Sequence, residues 1–173
     1  MTNESAIIMP VDEAEPTVAP LRLQHDRSAR LGVPAHITLL YPFSPPPFAE
    51  SEIENLAELF SSIPVFEFSL IEMRRFTRTA YLRPNEPRRF TEIVKTLLER
   101  WPDCRPYNGA FVDIIPHLTV ADHADAQTLD MVEQHLLKHL PITCLAKEAW
   151  LLFNNDIGFW SRKACFRLGA SAR

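Results

Sequence analysis

Apolar residues along the chain recur in two rhythms, every second position or every third and fourth, and these divide it into strands and helices. Residues 5–11 form a short apolar run that ends at an acidic patch and predict a first strand. Residues 15–30 are ambiguous: Leu21, Leu23 and Leu31 could line a helix, but Pro16 and Pro20 limit where it starts. Residues 35–43 predict a strand, stopped by the prolines at 45–47. Residues 50–63 carry Ile53, Leu56, Leu59, Phe60 and Ile63 at helical spacing, with Ser51 as N-cap and Glu54 completing a capping box. Residues 65–78 alternate as a long strand, and 79–83 form its antiparallel partner. A second helix is predicted over 88–101, a strand over 111–120, and a third helix over 125–140. Two last strands, 142–153 and 159–168, flank a turn at 154–158.

The order strand, helix, strand, helix, strand, strand thus comes in rough form twice. Long alternating strands joined by tight turns favour antiparallel sheets with helices packed on one side, an α+β arrangement. At 173 residues the chain is most simply one domain, spanning 1–173, with two lobes.

Composition narrows the function. Apolar residues make up 46% of the chain, enough for a large core, and the net charge is −4. A mildly acidic chain is not built as a general nucleic-acid binder, so no DNA partner is expected, but a small phosphorylated ligand or one RNA end gripped locally is allowed. The odd cysteine count, Cys104, Cys144 and Cys165 without C-x-x-C spacing, argues against disulfides and zinc and fits a reducing compartment. The acidic N-terminal flank is unlike a signal peptide, and no apolar run is long enough to span a bilayer. A cytoplasmic monomer without membrane contact is the expectation.

The chemistry lies in a repeated string. His36-Ile37-Thr38-Leu39 and His117-Leu118-Thr119-Val120 stand about half the chain apart, each just behind a proline. Chance gives about 0.3 H-x-T matches in a chain with this His and Thr content, so the matched pair needs an explanation. On a strand, a spacing of two puts imidazole and hydroxyl on one face and the apolar residues on the other. If the two strings face each other, one imidazole can take a proton while the other gives one, and the hydroxyls can hold phosphoryl oxygens. That set suits cleavage of a phosphodiester, above all a cyclic one, with no metal or other cofactor.

The two strings resemble the paired H-x-T-x signatures of the 2H phosphoesterase superfamily, and HITLLYPF followed by PHLTVAD looks like its bacterial 2′-5′ RNA ligase-like branch. The resemblance implies a bilobal fold, a pseudo-two-fold pair of antiparallel sheets with helices on the outer faces and a central cleft. It implies His36 and His117 as the acid/base pair and Thr38 and Thr119 as phosphate-holding hydroxyls. The implied reaction is hydrolysis of a 2′,3′-cyclic or 2′,5′-linked nucleotide or RNA end. A catalytically silent nucleotide-binding module and a 2′-5′ ligase stay open as alternatives, as does which histidine is the base.

Weaker candidates surround the pair. Tyr41 is at an odd step from Thr38 and belongs to the core unless a bend at Pro42 swings it to the cleft. Arg74, Arg75 and Arg78 flank Phe76 on a strand that could border the cavity, and Arg78 is the substrate contact chosen among them. Phe153 or Trp160 could stack a nucleobase, and Phe153 is the one preferred. His135 and His139 are spaced like metal ligands, but without a supporting carboxylate pattern no metal site is expected.

Overall fold

The computed structural model describes residues 4–110, 114–155 and 157–169. Eight strands and five helices follow in the order β1 (Ser5–Pro10), α1 (Glu15–His25), α2 (Arg27–Arg30), β2 (His36–Leu40), α3 (Glu50–Ser62), β3 (Phe66–Phe76), β4 (Thr79–Pro84), α4 (Pro87–Arg100), β5 (Leu118–Ala121), α5 (Ala126–Leu136), β6 (Ile142–Ala146), β7 (Glu148–Asn154) and β8 (Trp160–Arg167). They build two four-stranded antiparallel sheets, ordered β2-β1-β7-β8 and β5-β4-β3-β6. The α+β expectation with two antiparallel sheets and flanking helices holds.

Several local expectations need correction. The ambiguous segment is two helices, because Pro16 sits in the first turn, where its missing N–H costs nothing; Pro20 is tolerated inside α1. Helix α3 starts at Glu50 with Ala49 as its cap residue, so the Ser51/Glu54 box does not form; Glu50 and Glu52 instead place negative charge in the first turn. The strand expected over 111–120 begins only at Leu118, and residues 111–113 lie outside the described residues. Pro116 has no N–H to give a ladder, so His117 stands just ahead of the strand. Helix α5 stops at Leu136, short of residue 140. The single strand expected over 142–153 is two strands in different sheets: the buried positions run Cys144, Ala146 and then Ala149, Leu151, a parity slip at Lys147 where the chain crosses over.

The duplication is real but interleaved. In each sheet the motif strand, β2 or β5, is an edge. Its neighbour leads back into it through helices, β1 through α1 and α2 and β4 through α4. The helices are exchanged: α1 packs against β5 of the other sheet and α4 against β2. The two motif edges lie beside each other, so the sheets form one arc with β2 and β5 at its centre. One core cluster runs through both sheets, with Ile7, Met9 and Ile37 from the first and Phe68, Leu70, Leu82, Leu118 and Val120 from the second.

Candidate active site

Sheet register fixes what faces the concave side of the arc. Thr38 is paired with Ile8, and Thr119 with Tyr81. Ile37 and Leu118, one step away, are fully buried in the core. The alternation read from the sequence is therefore present in both motifs, and His36, Thr38, His117 and Thr119 are each partly buried between buried neighbours.

Both motif strands also carry the same irregularity. Ile8 and Ile7 of β1 face Thr38 and Leu40, leaving Leu39 as an extra residue; Tyr81 and Ala80 of β4 face Thr119 and Ala121, leaving Val120 extra. Each is a β-bulge at the fourth motif position. The bulge reverses the parity that follows, so Tyr41 lies on the side of Thr38, and Asp122 on the side of Thr119. Tyr41 accordingly packs on a small cluster of Ala6, Ile8, Val33 and Leu152 under the cleft. The bulge at Leu39, rather than a bend at Pro42, brings it there. The equivalent Asp122 accepts from Thr79 Oγ1 at 2.7 Å.

The imidazoles are held alike. The Nδ1–H of His36 donates to the Pro34 carbonyl at 2.7 Å, and that of His117 to the Ile115 carbonyl at 2.6 Å. A carbonyl oxygen only accepts, so each Nδ1 carries its proton, and in the neutral ring Nε2 keeps the lone pair. Burial, and then the nearby Arg22 guanidinium, push the His36 imidazole down to about 4, against the opposing pull of the Pro34 carbonyl and Asp26. Burial also holds His117 below the ordinary histidine range. His36 opens β2 and His117 stands just ahead of β5, and these two strands are in contact.

Helix α1 clamps the peptide in front of His36. The Arg22 side chain, 2% exposed, bonds Asp26 Oδ2 through Nε at 3.1 Å and Nη2 at 2.8 Å, and its Nη1 donates to the Val33 carbonyl at 3.2 Å. Glu15 accepts from the Ala35 N–H at 2.6 Å. The Pro34 carbonyl that orients His36 is thus gripped on both sides. The same helix offers its His25 carbonyl to the Asp122 N–H at 2.8 Å, directly after β5. One helix therefore touches the flanks of both motifs.

Aromatic walls rise on either side. On the second sheet, Phe76 stacks on Tyr81 with centroids 4.3 Å apart, and His117 meets both rings edge-on at 5.5 and 5.2 Å. On the first, Tyr41 lies 6.0 Å from Tyr107 and 6.2 Å from Trp160, and the Tyr107 phenol is hydrogen-bonded to the Thr38 hydroxyl. Burial and then Glu4 push the Tyr41 phenol up to about 12, so it is a donor across the physiological range.

The remaining candidates are placed elsewhere. Arg78 donates to the His123 carbonyl at 2.6 Å and stitches the β3–β4 turn to the segment after β5. Arg75 points away from the cleft and pairs with Asp130 and Glu133 on α5. Phe153 is paired with Ser5 and lies opposite the face of Leu152 and Trp150; Trp150 is the aromatic of β7 on the cleft side. His135 and His139 stack on each other at 4.7 Å. Among the described residues no group of three or more His, Cys, Asp or Glu could hold a metal, and no helix is long and apolar enough to cross a membrane.

The model of the 2′-5′ RNA ligase superfamily matches residues 10–156, which includes both motifs. The chain belongs to that superfamily. Solved structures agree on the fold. Escherichia coli LigT complexed with 3′-AMP superposes with a TM-score of 0.64 at 13% identity, covering 97% of this chain and 99% of that one. LigT complexed with NADP+ gives 0.62 at 16% identity, covering 97% and 98%. A protein described as a phosphoesterase gives 0.62 at 15%, covering 98% and 99%. No curated protein sequence matches the chain. In this superfamily member, sequence reasoning missed Arg22, Tyr81, Tyr107 and Trp150. Only Arg22 left a sequence signal, an i,i+4 pair with Asp26 on the buried side of a helix.

Proposed function

We propose that the chain is a 2H phosphoesterase that hydrolyses a 2′,3′-cyclic or 2′,5′-linked phosphodiester of a nucleotide or RNA end. The observation that carries this reading is the matched fixing of the two imidazoles, each with Nδ1–H on a backbone carbonyl two residues back and Nε2 left as the working nitrogen. His36, the more strongly depressed of the two, suits the base. Its Nε2 takes a proton from water as the water oxygen attacks phosphorus in line. The bond from phosphorus to the ribose oxygen breaks, and His117, as imidazolium, gives that oxygen its proton. Thr38 and Thr119 donate to the non-bridging oxygens, where charge grows. The bound anion itself supplies the field that keeps His117 protonated.

The test is turnover of a panel of 2′,3′-cyclic nucleotides and 2′,5′-dinucleotides by wild type, H36A and H117A. Either substitution is expected to lower kcat by about 10²–10⁴ with the circular dichroism spectrum unchanged. Full activity in either variant overturns the reading. A second reading, a silent nucleotide-binding module, draws on both imidazoles being depressed and hence neutral near pH 7 in the free protein. Its mark is nucleotide binding without hydrolysis of any panel member. Ligation runs the same chemistry backwards, and joined RNA ends without ATP would reveal it.

A further inference from the structure

The two walls of the cleft hold their arginines differently. On the second sheet, the cleft-side arginines Arg74 and Arg83 are both tied to Glu72, at 3.0 and 2.5 Å. On the first, Arg162 lies across from Leu152 on the cleft side and rests 4.4 Å from the centre of the Trp150 ring. It makes no ion pair among the described residues. The neighbouring carboxylate, Glu148, is occupied by the Trp150 indole N–H at 2.7 Å and lies beyond ion-pair distance of the guanidinium. A cation seated over an indole keeps its charge and loses little entropy on meeting an anion.

Position gives this cation a meaning. Thr38, Ile8 and Trp150 are cross-strand neighbours on β2, β1 and β7, so Trp150 is two strand spacings, about 10 Å, from the motif hydroxyl. That is too far for the phosphate group held by the two threonines. Tyr41 and Trp160 continue the apolar floor on the same side.

We infer that Trp150 and Arg162 form a second subsite, which takes the next base and internucleotide phosphate of an oligonucleotide whose terminal phosphate sits at the histidine pair. The chain then selects a short RNA end over a mononucleotide, with its strand laid across the first sheet. The inference rests on the phosphoesterase reading for the position of the terminal phosphate.

Binding tests it without turnover. Affinities of 3′-AMP and of the dinucleotide ApA 3′-phosphate are measured by titration calorimetry for wild type, R162Q, W150L and H36A/H117A. The dinucleotide is expected to bind wild type about tenfold tighter, with an advantage that shrinks as salt rises. R162Q, or an uncharged methylphosphonate linkage in the ligand, should each remove most of that advantage, and together no more than either alone. W150L should reduce it by loss of stacking. Equal binding of mono- and dinucleotide, or an advantage that survives R162Q, overturns the subsite. If the advantage is present but wild type cleaves neither cyclic form, the phosphoesterase reading fails and the subsite stands. Cleavage with no dinucleotide advantage removes the subsite and leaves the phosphoesterase reading in place.

Discussion

Protonation of single residues governs the behaviour expected of this site. With His36 as base near pH 4 and His117 as acid below the ordinary histidine value of about 6.5, kcat/KM should be highest on the acid side of neutrality. It should fall below about pH 4, where His36 is protonated, and fall again above the His117 value. The alkaline limb of kcat should lie higher, because bound phosphate favours the imidazolium. A pH–rate profile of both constants checks this. Stability carries the same signature. Between about pH 6.5 and 4 the unfolded chain protonates His36 while the folded one does not, so stability is lost as pH falls through that window. H36Q should flatten this slope in urea denaturation compared at about pH 7 and pH 4.5. Among the hydroxyls, T38V and T119V should each lower kcat by about 10²–10³ if they hold growing phosphoryl charge.

Helix α1 makes a different prediction. Its Arg22–Asp26 pair is buried and holds the Val33 carbonyl, one residue from the carbonyl that orients His36. R22M alone leaves the Asp26 charge buried without its cation and should cost about 3–5 kcal/mol, whereas the double substitution R22M/D26N, which removes that charge and keeps the cap on Ser28 N–H, should recover most of that. If the pair aligns His36, the double variant stays stable yet loses kcat more than KM, measured side by side with wild type. Much at this scale is legible in the sequence. The apolar spacing of α3, α4 and α5 marks them plainly, and the period of two in HIT and HLT fixes which side chains share a face. The bulges at Leu39 and Val120 are not legible, since an apolar residue there is buried whether the strand is regular or bulged. Simple alternation therefore misplaces Tyr41. Arg162 and Trp150 are invisible because cleft-side neighbours on β7 and β8 come from pairing with β1, which no local pattern encodes.

Across the molecule, the chain passes twice between the sheets, from α3 into β3 and from β6 into β7. The first crossing is locked by the segment after β8. The Gly169 N–H donates to the Ile63 carbonyl at 2.9 Å, and the Val65 N–H to the Gly169 carbonyl at 3.2 Å. A Cβ at Gly169 would sit 2.2 Å from the Ser61 carbonyl oxygen, which is backbone and has little room to move. G169A should therefore lower the urea midpoint, by the equivalent of about 1–3 kcal/mol, without changing the pH profile.

The interleaving of the sheets sets the timing of assembly. The edge that bears His36 belongs to a sheet whose other two strands, β7 and β8, come after every strand of the second sheet along the chain. A nascent chain emerging only as far as β6 would hold the strands of the second sheet together, yet β1 would lack one neighbour and its apolar side chains would be uncovered. The histidine pair thus gains its finished surroundings only once β7 and β8 have followed the second sheet, and a fragment made of either half alone would own one imidazole and no finished groove around it.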